Sequence, residues 1–178
     1  VSCYDGNCFL NFTSKDGLVD DKVYDIHSSL DGMIWFATDR GVSRYNGNEF
    51  TSFTMREGLI SNRIFAIHSS SDGMIWFGAH DGISRYDGKS FLNFTEKDGL
   101  VDIRAIHQDV DGVMWFGTEG KGIIRYDGKS FLRFTQKDGL VNNMVNAIHS
   151  FPDGLMWFGT EGGVSRYDKT FLNFTQRD

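Results

Sequence analysis

Apolar residues occur in short runs bounded by turn signals, and the same order of runs returns about every 40 residues. Between Ile64 and Thr95 the runs read "IFAIHSS", "MIWFGA", "GISRYD" and "SFLNFT", with Asp72-Gly73 between the first two. Each run has the length of a strand. An Asp-Gly pair between aromatic-rich runs is a strong hairpin signal, because Gly takes a positive φ without steric cost. No window carries the apolar period of a helix of about 10 residues or more. Apolar residues fall on both faces of the second run, Ile75 and Phe77 on one, Met74 and Trp76 on the other. Burial on both faces fits a sheet stacked between two others, not one with a solvated side.

Trp35, Trp76, Trp115 and Trp157 mark the period, 41, 39 and 42 residues apart. The third copy is shortened by two residues, "DGLVDIRAIH" standing for "EGLISNRIFAIH", and gains one residue in "TEGKGI". The fourth loses a turn glycine, "RYDKTF" replacing "RYDGKSF". All these changes fall in expected loops, where length is tolerated.

Four strands in about 40 residues, repeated, predict the blades of a β-propeller. The expected fold is all-β, a single domain over residues 1–178. It holds four four-stranded antiparallel blades and an extra N-terminal outer hairpin, "VSCYDGNCFLNFT". Approximate repeats are 1–13 (partial), 14–54, 55–95, 96–135 and 136–175. The fourth strand occurs five times, and both ends of the sequence fall inside a repeat. The favoured arrangement is therefore part of a larger ring. A four-bladed ring with a redundant strand pair and an arc closed by self-association are the alternatives.

Composition narrows the function classes. Aromatics make up 15% of the chain, 16 of them Phe, which separates it from disordered sequences. The net charge of −6 is spread evenly without a basic stripe, so no nucleic-acid partner is expected. No apolar run approaches the ~20 residues of a membrane helix, so no membrane segment is expected in this chain.

The recurring "DGL", "DGMIWFG", "SRYDG" and "FLNF" segments, four copies in register, strongly resemble the two-component regulator propeller repeat over essentially the whole chain. That resemblance implies a β-propeller in a periplasmic or extracellular setting. It further implies a sensor or input region of a signalling protein that recognises a ligand, a small molecule or an oligosaccharide.

Repetition separates scaffold from chemistry. Asp31, Asp72, Asp111 and Asp153 are expected to cap hairpin turns, and Trp35, Trp76, Trp115 and Trp157 to wedge between blades. Asp16, Glu57, Asp98 and Asp138 of the "KDGL" loops read as turn chemistry, with Leu18, Leu59, Leu100 and Leu140 as plugs. His27, His68, His107 and His149 recur at one position in the first strand. A ring of ligands is one reading, and a hydrogen bond to a neighbouring Ser or loop carbonyl is the preferred one. "DVDG" at Asp109–Gly112 lacks the alternate ligands and closing Glu of a calcium loop, so neither a metal nor a cofactor is expected. The "NFT" sequons at Asn11, Asn93 and Asn173 follow from the repeat and read as incidental.

Catalysis needs unlike groups converging, and near-identical copies supply few, so the chain reads as a non-enzyme. The copies disagree in the loops after the second strand: "TDRG", "AHDG", "TEGKG" and "TEGG". Asp39, Arg40, His80, Asp81, Glu119, Lys121 and Glu161, with Arg104 nearby, are the candidate ligand-binding residues of one end face. The alternatives are a self-associating structural module, and a lyase resembling streptogramin lyases with His80 as base. Finally, a two-residue turn at Asp5-Gly6 would place Cys3 across from Cys8, and a cross-strand disulfide is expected there.

Overall fold

A computed structural model describes residues 1–176. Its N-terminal hairpin pairs β1 (Ser2–Tyr4) with β2 (Phe9–Asn11). Blade one comprises β3 (Val23–Ser28), β4 (Ile34–Thr38), β5 (Val42–Tyr45) and β6 (Phe50–Phe53). Blade two comprises β7 (Ile64–Ser69), β8 (Ile75–Ala79), β9 (Gly82–Tyr86) and β10 (Phe91–Thr95). Blade three comprises β11 (Ile103–Gln108), β12 (Met114–Thr118), β13 (Ile123–Tyr126) and β14 (Phe131–Phe134). Blade four comprises β15 (Val145–Ser150), β16 (Met156–Thr160), β17 (Gly163–Tyr167) and β18 (Phe171–Phe174). Each blade is an antiparallel sheet in chain order, and the first strands β3, β7, β11 and β15 pack side by side along the axis. Among the described residues no helix is long and apolar enough to cross a membrane.

The core lies between blades. Trp35 and Phe53 of blade one meet Phe77, Tyr86 and Phe91 of blade two, at ring-centroid distances of 5.4–6.0 Å. Trp76 with Phe94, and Trp115 with Phe134, repeat the arrangement against blades three and four. Phe12, just past β2, covers Tyr45 and Phe50 as Phe53 covers Tyr86 and Phe91, so the hairpin is the outer half of a blade. On blade four the equivalent surface is open, with Val164 37% and Phe174 41% exposed.

The "KDGL" loops behave as the sequence predicts. Thr13, Thr95 and Thr135 cap 3₁₀ turns at Ser14–Asp16, Glu96–Asp98 and Gln136–Asp138 through reciprocal capping boxes. Leu18, Leu59, Leu100 and Leu140 are buried beneath them. The axial histidines form a ladder, with rings 5.6, 5.9 and 5.9 Å apart. His27 Nε2 accepts the Ser69 N–H at 3.0 Å, and His107 Nε2 lies 2.8 Å from Ser150 Oγ. Hydrogen bonding to a neighbouring Ser is thus seen at two of the four positions. Among the described residues no cluster of three or more His, Cys, Asp or Glu could hold a metal.

Two expectations require correction. Cys3 pairs with Leu10 and Tyr4 with Phe9, so Cys3 does not face Cys8, and both thiols are free and exposed. The turn is centred on Gly6-Asn7. Asp5 is its first corner, its carboxylate accepting the Asn7 and Cys8 N–H groups at 2.8 and 2.9 Å. The hairpin cap also moves in blade three. Asp31, Asp72 and Asp153 accept local N–H groups as expected, but there Asp109 takes the Val113 N–H and the Trp115 indole N–H in place of Asp111.

Trp35 and Trp76 donate to Ser29 and Ser70. Phe151 occupies that place in blade four, and the buried Trp157 Nε1–H has no partner among the described residues. Phe151→Ser should stabilise the protein by about 1 kcal/mol by supplying an acceptor. Urea unfolding measures the gain, which should vanish in a Trp157→Phe background.

Candidate functional site

Each first strand begins with a β-bulge. The ladder register shifts between Val23 and Asp25, Ile64 and Ala66, Ile103 and Ala105, and Val145 and Ala147. The skipped residues are Tyr24, Phe65, Arg104 and Asn146, one per blade and each different. A bulge re-aims the side chain it leaves unpaired. Here it sets four unlike groups at corresponding positions at one end of the axis.

The loops after the second strands meet this row. The Tyr24 hydroxyl donates to Asp39 Oδ1 at 2.7 Å, and Asp39 also binds Lys22 Nζ at 2.9 Å and Arg63 Nε at 3.0 Å. The Tyr24 hydroxyl, followed by Lys22, holds the Asp39 carboxyl below its ordinary range. The Tyr24 ring meets the Phe65 edge at 5.3 Å. The Arg104 guanidinium lies 3.8 Å from the Phe65 ring centroid and pairs with Glu119. His80 Nδ1 pairs with Asp102 of blade three.

Two cavities adjoin here. One of about 740 Å³, between blades two and three, is lined by His80, Asp81, Thr95, Glu96, Lys97, Asp102 and Lys121 over Ile60 and Val101. A second of about 300 Å³ is lined by Arg63, Phe65, His80, Asp102, Arg104 and Glu119. His80 and Asp102 form the wall between them. Aromatic faces beside guanidinium, carboxylate and imidazole groups can pack on a ring while exchanging hydrogen bonds with its substituents.

Of the expected site residues, Asp39, Arg104 and Glu119 join the aromatic row, and His80, Asp81 and Lys121 share the larger cavity. Arg40 instead pairs with Asp20 at 3.1 Å. Glu161 stands apart on blade four, its N–H donating to the Met144 carbonyl at 3.2 Å. Sequence reasoning missed Lys22, Tyr24, Arg63, Phe65, Asp102 and Asn146. The signal was present in "VYDIH", "IFAIH", "IRAIH" and "VNAIH", where the second column varies while the rest is nearly constant.

The stacked four-stranded sheets define a β-propeller, with variable residues concentrated at one end. The family model of the two-component regulator propeller matches residues 58–81 and 99–120. No curated protein matches the chain by sequence. Among solved structures it resembles the extracellular domain assigned to the hybrid two component system BT3049 from B. thetaiotaomicron, at TM-score 0.85 and 23% identity over 98% of this chain and 26% of that one. The extracellular domain assigned to BT4673 of the same organism gives 0.75 and 22%, over 92% and 22%. A catalytically inactive virginiamycin B lyase from Staphylococcus aureus, with quinupristin, gives 0.74 and 20%, over 93% and 58%. The chain thus spans about a quarter of the two extracellular domains. At these identities the likeness is one of fold.

Proposed function

We propose that this chain is a non-catalytic recognition segment of an extracytoplasmic sensor propeller in a two-component system, and that its ligand is hydroxyl-rich, an oligosaccharide or a related small molecule. One observation carries the reading: the packing between blades is repeated, whereas the bulge residues and the facing loops differ from blade to blade and gather at one end. A scaffold alone needs no such variation. Tyr24 offers aromatic surface, Phe65, 7% exposed, supports the Arg104 guanidinium from beneath, and Arg104, Asn146, Asp39 and Glu119 offer hydrogen bonds. The repeat and the resemblance to extracellular domains of hybrid systems support the setting. The open face of blade four is where a further blade of a larger ring would stack.

Calorimetric titration with a panel of neutral and acidic oligosaccharides tests the reading. Arg104→Ala should weaken the best ligand about tenfold or more, as truncation of a central Arg contact does, and Phe65→Ala, which removes the ring that positions Arg104, should weaken it in the same direction. Unchanged affinity in both, with melting curves intact, would place recognition elsewhere.

A further inference from the structure

In three of the four blades a loop side chain closes onto the turn that follows an outer strand. Asp21 Oδ1 accepts the Ser14 N–H at 2.6 Å, Asn62 Oδ1 the Met55 N–H at 2.8 Å, and Asn143 Oδ1 the Gln136 N–H at 2.8 Å. Before β11 the corresponding loop is two residues shorter, Val101-Asp102-Ile103 standing for Ile60-Ser61-Asn62-Arg63-Ile64. The residues lost include the one that carries the closing oxygen. Asp102 does not replace it. Asp102 adopts a left-handed backbone, φ 50°, its N–H donates to the His80 carbonyl at 2.8 Å, and its carboxylate meets the His80 imidazole.

The Glu96 N–H, counterpart of those of Ser14, Met55 and Gln136, therefore lacks the acceptor they have. The cavity of about 740 Å³ opens beside this shortened loop and is lined by Thr95, Glu96 and Lys97 of the turn and by Val101 and Asp102 of the loop. Its charged lining is mixed: Asp81 and Glu96 stand with two lysines, and Asp102 is engaged by His80. Lys97 lines it, and so does Lys121, the residue that blade three's one-residue insertion introduces. Neither lysine is held in an ion pair among the described residues. His80, which stands where the other blades carry Asp39, Glu119 and Glu161, exchanges one acidic side chain for an imidazole, itself paired with Asp102. Three departures from the repeat, a deletion, an insertion and a substitution, thus meet in one cavity.

We infer that this cavity binds a small hydroxylated carboxylic acid, a sugar acid or an acidic saccharide unit, whose carboxylate takes the place of the missing Asx oxygen. The carboxylate accepts the Glu96 N–H with Lys97 and Lys121 beside it, a charge-assisted arrangement. Asp81 and Glu96, on the same wall, accept hydroxyl donors, and they disfavour a bare anion that has none to offer. Ile60 and Val101 form the apolar floor. The inference rests on the reading of this end face as a recognition surface and specifies one subsite of it.

The test titrates the chain with sodium glucuronate and with glucose. Glucuronate should bind at millimolar concentration or below, and glucose about tenfold more weakly or worse. Lys121→Gln should weaken glucuronate about tenfold. Inserting Asn-Met between Asp102 and Ile103 restores the loop length of blade four and supplies an internal acceptor, and it should abolish glucuronate binding. Circular dichroism and melting verify that the variant folds. Equal binding of the two sugars, absent binding of glucuronate, or full binding by the insertion variant would each overturn the inference. Neutral oligosaccharides that depend on Phe65 and Arg104 but ignore the insertion would leave the recognition surface standing and remove the carboxylate subsite. Glucuronate binding that the insertion abolishes, alongside indifference to Phe65 and Arg104, would do the reverse.

Discussion

Trp76→Ala should lower the free energy of unfolding by about 3–5 kcal/mol, the range for deleting a large buried aromatic. Trp76 is 3% exposed and stacks on Phe94 at 6.0 Å with planes 12° apart. From blade three, Phe116 and Tyr126 reach it at 5.8 and 6.0 Å, and the Arg85 guanidinium lies over it at 5.6 Å. Its indole N–H donates to Ser70 Oγ at 3.0 Å, and that hydroxyl also serves Asp72. Deleting the ring removes the contact between two blades and the donor that orders the hairpin turn. The gap cannot collapse, because blades on both sides fix the spacing. In a stacked-repeat protein a nearest-neighbour interface is a large share of stability. Trp157→Ala is the control. On blade four the tryptophan has Phe174 beside it at 5.7 Å and an N–H without a partner among the described residues, and its loss should cost on the order of 1–2 kcal/mol. Urea unfolding of both variants decides the matter. Equal costs would mean that the tryptophans act within their own blades and not between them.

Most of the architecture was legible because its determinants are local and repeated. The Trp period, the Asp-Gly turns and the "KDGL" caps each need only a few contiguous residues, and four copies average out the exceptions. The register of the outer hairpins was not legible. "YDGN" admits a turn centred on Asp5-Gly6 or on Gly6-Asn7, and the choice falls to the Asp5 carboxylate, which takes two N–H groups only in the second. That one-step change moves Cys3 opposite Leu10. The bulges were hidden for a related reason: a single unpaired residue leaves the strand's length and composition unchanged. The pairing of His80 with Asp102 was least visible, because it depends on a deletion in one blade drawing a loop toward its neighbour. Alternation along a strand carries no information about that contact. Six of the eight expected residues lie at the two adjoining features of the end face.

Lowering the pH from 7.5 to 5 should cost the protein roughly 2 kcal/mol through His68 alone. Burial pushes this imidazole from its ordinary 6.5 down to about 4, and facing His27 and His107 push in the same direction. Their rings lie 5.6 and 5.9 Å away. No serine stands opposite His68 as Ser69 does for His27. The corresponding residue is Gln108, already engaged with the Ser71 N–H and the Gly112 carbonyl. A proton on His68 would therefore be buried between two other imidazoles without an acceptor. The unfolded chain takes that proton near 6.5 and the folded chain near 4, so the unfolded state binds more protons across this window. Stability is then fully present above about 6.5 and falls as pH drops toward 4. His27 and His107 are lowered too, first by burial, and deepen the loss. Carboxylates held below their ordinary range, such as Asp39, lose their share only at lower pH. Asp25, raised by burial, acts in the opposite sense. His68→Gln removes the central titration and leaves these others in place. The difference between parent and variant in urea-unfolding free energy, followed from pH 7.5 to 5, should therefore shrink by roughly 2 kcal/mol. Parallel curves would show that the ladder accepts a proton at its centre without cost, and that its spacing is set by the strands alone.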